Sequence, residues 1–445
     1  MSEVKVNKIS PRTNCGTTTL GDSGDTFTIP AGVTISNSGT ASGFGSTGEV
    51  SWDTTKKTST FTAVSGVGYF CDTSGGAFTV NLPAGTAGNS FAVADYTNTF
   101  QTNNLTISPN GSQKIGGIAA DVDLNTEGQS AYFVYVDDTE GWKNVIDSTS
   151  NITGNPFMIA TGGTITTCGN DKIHTFTGPG TFTVSKAASC AANNVVSHLV
   201  VAGGGGSGSK EAGGPGGVGG AGAGGYREVK SPVTPYTASP LDGYSSAPNR
   251  VTVTATAYPI TVGSGGAGGA APGAIGSNGA NSVFSTITSA GGGGGSHSPS
   301  PATGADGGSG GGGNGGNSTV GGAGNTPSVS PAQGNPGGTG GNSGGGGGGA
   351  TATGGDKGSP VNVAGAGGAG ATSSITGSAV ARAGGGGGGG YSASPAGAGG
   401  TGGGGAGTSG PGAGAATNGT ANTGGGAGGR GGPSPGSNTA GATGG

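Results

Sequence analysis

Apolar and polar positions alternate with a period of two along much of the first two hundred residues. The clearest runs are Val50–Trp52, Thr58–Val64, Gly68–Cys71, Phe78–Leu82, Phe91–Tyr96, Leu105–Ile107, Ala131–Val136 and Trp142–Ile146. This period belongs to strands with one buried face. Turn chemistry separates the runs at Pro83-Ala84-Gly85, Pro109-Asn110-Gly111 and Asp137-Asp138-Thr139-Glu140-Gly141. So many short strands in about a hundred residues predict a β-sandwich or jelly-roll-like module over residues 47–149. No stretch sustains helical periodicity, so the chain is expected to be mainly β.

Ahead of that module, residues 1–46 carry two short alternating runs, Thr26–Ile29 and Val33–Ile35, turned by Pro30-Ala31-Gly32. So few large apolar groups bury no core alone. The segment is either a polar tail or an N-terminal β segment that folds against identical copies or a larger assembly; the alternation favours the second. Behind the module, Asp147–Asn155 is a polar connector. A strand platform follows over residues 158–202, with runs at Thr164–Thr167, Lys172–Thr177, Thr181–Val184 and Val195–Ala202. The last run is apolar on both faces, as in a strand buried from both sides.

At Val200–Gly206 (VVAGGGG) the pattern ends. Of the 114 glycines, 25 lie in residues 1–200 and 114 − 25 = 89 in the rest. Collagen is excluded, because GGGGSGSKEAGGPGG breaks the every-third-residue register. Disorder fits the cost of ordering glycine. It does not account for the apolar runs Arg250–Val262 and Val283–Ile287 beside the tracts. The favoured expectation for 203–445 is an array of polyglycine II helices, with three residues per turn and no internal hydrogen bonds. Each N–H must then find a carbonyl on a neighbour.

Charge and candidate chemistry narrow the function. Only 8% of residues are charged, the net charge is −4, and no basic run occurs, which argues against nucleic acid. No apolar run reaches the ~20 residues of a membrane-spanning helix, and MSEVKVNKIS lacks a secretory pattern, so synthesis in a cytosol is expected. Four cysteines and three histidines, without metal-ligand spacing, imply no metal and no cofactor. Cys168 and Cys190 flank a hairpin but are expected to stay reduced in a cytosol. His174 and His198 sit inside strand patterns and read as packed, hydrogen-bonded side chains. Asp137, Asp138 and Glu140 read as turn residues. The sequence pairs no two carboxylates convincingly, so no enzyme is expected.

Two sets of motifs resemble known families. AVADYTNTFQTNNLTISPNGSQKIGG (92–117), YFVYVDDTEGW (132–142), VNKISPR (6–12) and TFTIPAGVTISNSGTASGFG (26–45) resemble tail-fibre proteins of tailed bacteriophages, marine and cyanobacteria-infecting ones especially. ATGGTITT (160–167), KIHTFTGPGTFTV (172–184), HLVVAGGGG (198–206), AGGYREV (223–229) and SVFSTITSAGGGGG (282–295) resemble the glycine-rich tip domain of such fibres. The resemblance implies a homotrimeric virion protein, synthesised in the host cytoplasm. Its residues 1–46 would join other tail or baseplate proteins, and residues 150–445 would form an adhesin tip. The partner would be a host surface glycan or outer-membrane protein. The family usually finishes with a short apolar strand, whereas residues 440–445 (AGATGG) keep the glycine pattern. Pro-, Ser-, Thr- and Asn-rich stretches at 231–249, 296–306, 325–336, 351–362, 391–397 and 430–438 read as recognition loops. Tyr236, Tyr244, His297 and Tyr391 are their candidate receptor-binding side chains. The alternative is a non-adhesive structural or matrix protein with an elastic or disordered glycine region.

Overall fold

The computed structural model describes residue 26 and residues 50–146, 155–212, 214, 216–298, 302–316, 319–357, 363–410, 415–432 and 440–445. The expected N-terminal β segment and all but the end of the 147–155 connector lie outside the described residues.

Residues 50–146 form two facing sheets. The strands are β1 (Ser51–Lys57), β2 (Phe61–Thr62), β3 (Val67–Cys71), β4 (Phe78–Asn81), β5 (Ser90–Asp95), β6 (Leu105–Ser108), β7 (Val122–Leu124), β8 (Ser130–Tyr135) and β9 (Trp142–Asn144). One sheet has the order β1-β3-β5-β8-β9 and the other β2-β4-β6-β7. Their inner faces share one core that includes Phe78, Val80, Phe91, Leu105, Ile107, Phe133 and Trp142. Phe91 stacks on Phe133 with ring centroids 4.9 Å apart and meets Trp142 edge-on at 5.4 Å. Burying each such side chain contributes about 1.5–3 kcal/mol.

The two-layer expectation holds, but the winding departs from a jelly roll. Up to β6 the chain changes sheet at every strand, and neighbours within a sheet are parallel. The strands therefore stack as turns of a coil, with Val67 opposite Phe91 and Phe78 opposite Leu105. Antiparallel pairing of β7, β8 and β9 closes it. A jelly roll instead joins antiparallel strands through Greek keys. The acidic run is a turn: the Asp137 carboxylate accepts the N–H groups of Thr139 and Glu140, both at 2.8 Å.

The platform contains β10 (Ile159–Thr161), β11 (Thr164–Cys168), β12 (Asp171–Thr175), β13 (Gly180–Lys186), β14 (Val195–Val196), β15 (His198–Val201), β16 (Tyr226–Val229), β17 (Val251–Thr252), β18 (Ala257–Thr261), β19 (Ser282–Phe284) and β20 (Ile287–Ser289). Its main sheet has the order β10-β13-β18-β19-β20, over a core of Phe182, Val184, Val200, Val251, Val253, Phe284 and Ile287. The run expected as one strand at 195–202 breaks at Ser197: β14 pairs with β17 and β15 with β16. Cys168 and Cys190 are exposed free thiols. The backbone N–H of Asn155 donates to the Asp121 carbonyl at 2.9 Å, joining platform to module.

Beyond Val201 the backbone pairs with a period of three. Gly203, Gly206 and Ser209 donate to Ala280, Ser277 and Ala274; Gly204 and Ser207 donate to Gly445 and Ala442; Gly205 donates to Gly222. Successive N–H groups thus serve three neighbours in rotation, as three residues per turn require. Segment 217–225 lies at the centre. Gly217, Gly220 and Ala223 donate to Asn342, Gly345 and Gly348, while Val218, Ala221 and Gly224 donate to Arg430, Ala427 and Gly424. Gly222 and Gly225 donate to Gly293 and Ala290. Ser309, Gly312 and Gly315, then Gly386 and Gly389, then Gly205 donate back to it. Six segments therefore surround one.

Side chains forbid that packing. A Cβ at Gly219, Gly220 or Gly222 would land on the carbonyl oxygen of Gly312, Gly386 or Ser309. Residues 217–225 are buried throughout and hold no positive φ, in keeping with the left-handed extended helix. The expected polyglycine II array is what these residues form. Where the lattice leaves room it takes methyl groups: Ala221, Ala416, Ala427 and Ala442 cluster inside it.

Candidate functional site

Chain direction and hydrogen-bond register sort the loops into two sets. Segment 203–209 runs away from β15, and 217–225 returns to β16. Ser209 pairs with Ala274, Gly217 with Asn342 and Gly315, and Val218 with Arg430 and Gly389. The turn that begins at Lys210 and the turns at 271–273, 341–343 and 391–394 therefore share the end far from the platform. At the near end, Ala202 pairs with Gly225, Gly203 with Ala280, and Ala350 with Ala383. The loops at 230–250, 285–286 and 324–334 belong there, as does the hairpin of β21 (Ala371–Ser373) and β22 (Val380–Arg382).

This division separates the four candidate side chains. His297 and Tyr391 are at the far end; Tyr236 and Tyr244 are at the near end. All four are half-buried.

Pairwise contacts link neighbouring segments at the far end. Ser298 bridges to Lys210, and Tyr391 bridges to Gly432. The Tyr391 N–H donates to Ser343 Oγ at 3.0 Å. Lys210 is 1% exposed, and its Nζ donates to the carbonyls of Gly214 and Gly216, each at 2.9 Å. Burial pushes this ammonium down to about 8. Among the described residues no carboxylate lies in salt-bridge range of it, so Lys210 acts as a clamp on the first far-end turn. Ser209 Oγ accepts from the Ala274 N–H at 2.7 Å and donates to the Ala270 carbonyl at 2.9 Å, closing the second turn. A Cβ at Gly273 would lie 3.8 Å from both Glu211 and His297, so these two flank that turn.

The near end is organised by a buried acid. Glu228 accepts from Tyr226 Oη at 2.9 Å, from the Ser239 N–H at 3.0 Å and from Ser373 Oγ at 2.5 Å. Tyr236 Oη donates to the Val229 carbonyl at 3.3 Å, and burial followed by the Glu228 charge raises its phenol well above the usual value. Tyr244 lies under the Arg250 guanidinium, 4.5 Å from ring centroid to carbon. Tyr236 thus ties the 230–250 loop to β16, while Tyr244 packs within the loop.

The histidines differ. His174 Nδ1 is 2.8 Å from the Gly162 carbonyl and its ring packs on Phe182 at 5.0 Å, as the sequence led one to expect. His198 packs on Phe284 at 5.7 Å, but among the described residues neither ring nitrogen makes a hydrogen bond. Desolvation pushes it down to about 4, with the Val196 carbonyl opposing.

Residues that sequence reasoning passed over are Lys210, Arg227 and Asn249. The available signal was rarity. Residues 203–445 hold twelve charged side chains, so Lys210 and Arg227 depart from a nearly neutral background, whereas Asn249 carried no such signal.

A family model described as a glycine-rich domain matches residues 175–445. No curated protein matches the chain.

Proposed function

The chain belongs to this family of glycine-rich domains, and from that premise we propose that it is a bacteriophage tail-fibre protein binding the host cell surface through the loops at the far end of the lattice. The observation that carries the reading is the far face itself. A block with almost no side chains of its own fixes the turns at 271–273, 341–343 and 391–394 at one level, with His297 and Tyr391 at the same end. Such a block pre-pays the ordering of its loops, which lowers the cost of binding. The fibre motifs of residues 6–142 supply the virion context.

In this reading residues 1–46 attach to tail or baseplate proteins, and residues 47–149 and 150–445 are fibre module and tip. The protein is a homotrimer within the virion, made in the host cytoplasm, and performs no catalysis. Its receptor is a surface glycan or an outer-membrane protein, and several weak contacts per trimer add through avidity.

The test is binding of the full chain to a panel of marine bacteria and cyanobacteria, beside a version with 391–396 and 271–273 replaced by Gly/Ser of equal length. Saturable binding that the replacement abolishes is expected. Equal binding by both versions removes the 271–273 and 391–396 loops from recognition. No binding by either to any strain supports the non-adhesive alternative.

A further inference from the structure

The flank of the platform holds a groove of about 340 Å³, lined by Arg227, Ser246, Pro248, Asn249, Thr286, Ile287, Val329 and Ser330. Its one charged lining residue is Arg227. The guanidinium donates to Asn249 Oδ1 at 2.5 Å and to the Thr288 carbonyl at 3.4 Å. Asn249 is held in turn, its amide donating to the carbonyls of Gly243 and Ser330 at 3.2 and 2.8 Å. Arg227 is thus fixed in place with three of its five N–H donors unspent among the described residues. No carboxylate lies in salt-bridge range of it among those residues. Glu228 points to the opposite face of β16, as strand alternation requires, and its oxygens are taken by Tyr226, Ser239 and Ser373.

A second observation points the same way. Beside Arg227 and Asn249 lies a small, partly open cavity of about 10 Å³, bordered also by His198 and Tyr226. That is room for one water. His198, 6% exposed and without a hydrogen-bond partner among the described residues, supplies the polar group such a water needs. A partly desolvated arginine backed by a hydratable pocket suits a ligand anion.

We infer that this groove is a lateral binding site for a carboxylate-bearing sugar unit, a hexuronate or a sialic acid, with the carboxylate on Arg227. The remaining wall fits the class. Ser246, Asn249, Thr286 and Ser330 offer hydroxyl and amide partners for sugar hydroxyls, while Pro248, Ile287 and Val329 offer an apolar surface to ring C–H groups. The site is at the near end, apart from the loops assigned to host binding, and does not depend on them.

The full chain would be titrated with D-glucuronate, N-acetylneuraminate, D-glucose and acetate, read by saturation-transfer NMR and calorimetry. Millimolar, saturable binding of at least one acidic sugar is expected, with glucose and acetate at least tenfold weaker. Arg227→Met is expected to weaken the acidic sugar tenfold or more. Thr286→Trp, at an exposed turn, fills the groove without touching the core and is expected to abolish binding with an unchanged melting temperature. Silence of the wild type toward both acidic sugars overturns the proposal, as does undiminished binding in Thr286→Trp. Acetate binding as tightly as the sugars reduces the groove to a general anion site and overturns the sugar assignment. The far-end loop replacement leaves this titration unchanged, so the two readings fail separately.

Discussion

Residues 50–146 and the described residues of 203–445 solve the same packing problem by opposite means. The first unit brings two sheets together through side chains: Phe91, Phe133, Trp142 and their neighbours fill the space between the layers. The second brings backbones together by removing side chains, so that six segments surround 217–225 and take up its hydrogen bonds. In the module an absent side chain is the damage; in the lattice an added one is. The module gains from apolar area taken out of water. The lattice gains from polar groups that pair completely, and an unmade buried hydrogen bond there costs about 1–3 kcal/mol.

The contrast breaks most visibly at Gly220. Gly220→Val would set a side chain on the Gly386 carbonyl, and backbone on both sides leaves nowhere to move. We expect a loss beyond the ~1–3 kcal/mol of ordinary overpacking. In differential scanning calorimetry the lattice transition should disappear while the module transition stays. The converse change, Phe133→Ala, should cost about 3–5 kcal/mol and lower only the module transition. If either variant shifts both transitions together, the two units are one cooperative body.

The next effect is a pH dependence of the platform between them. His198 is held at about 4 in the folded chain against an ordinary value near 6.5. The folded state binds this proton less readily than the unfolded one. Stability is therefore full above pH 6.5 and falls as pH drops toward 4, by about 3 kcal/mol in all. His198→Phe should flatten the profile over that window in thermal melts; an unchanged slope assigns it to another group. The smallest effect is at the surface. The Lys143–Glu140 pair, 2.9 Å apart and partly exposed, should contribute under about 1 kcal/mol. Lys143→Ala should leave the module melt nearly in place.

Much of this organisation was legible in the sequence, because its signals are local. Eight of the nine module strands coincide with alternating runs, and the tracts at 203–206, 291–295, 344–349 and 384–390 all became interior lattice segments. The coil of the module was not legible, since alternation fixes which face a residue occupies and not whether its neighbour runs parallel. β7 is three residues long (VDL) and offers too little pattern. The break at Ser197 escaped because Val195–Ala202 is apolar on both sides of it; the Ser197 hydroxyl, 2.8 Å from Thr234 Oγ1 and accepting the Ser231 N–H at 2.8 Å, belongs to partners more than thirty residues away. For the candidate site, loop composition identified Tyr236, Tyr244, His297 and Tyr391 but not their division between two ends. That division follows from how many segments lie between them and from which way each runs, a property of the assembled lattice.

The most direct test of the account is amide hydrogen exchange in the full chain, followed at Gly220, Ala221, Gly222 and Ala223. The lattice predicts protection at these glycine-rich positions comparable to that of Phe91 and Phe133 in the module. Exchange as fast as in an unstructured glycine chain, with the module amides still protected, would contradict it.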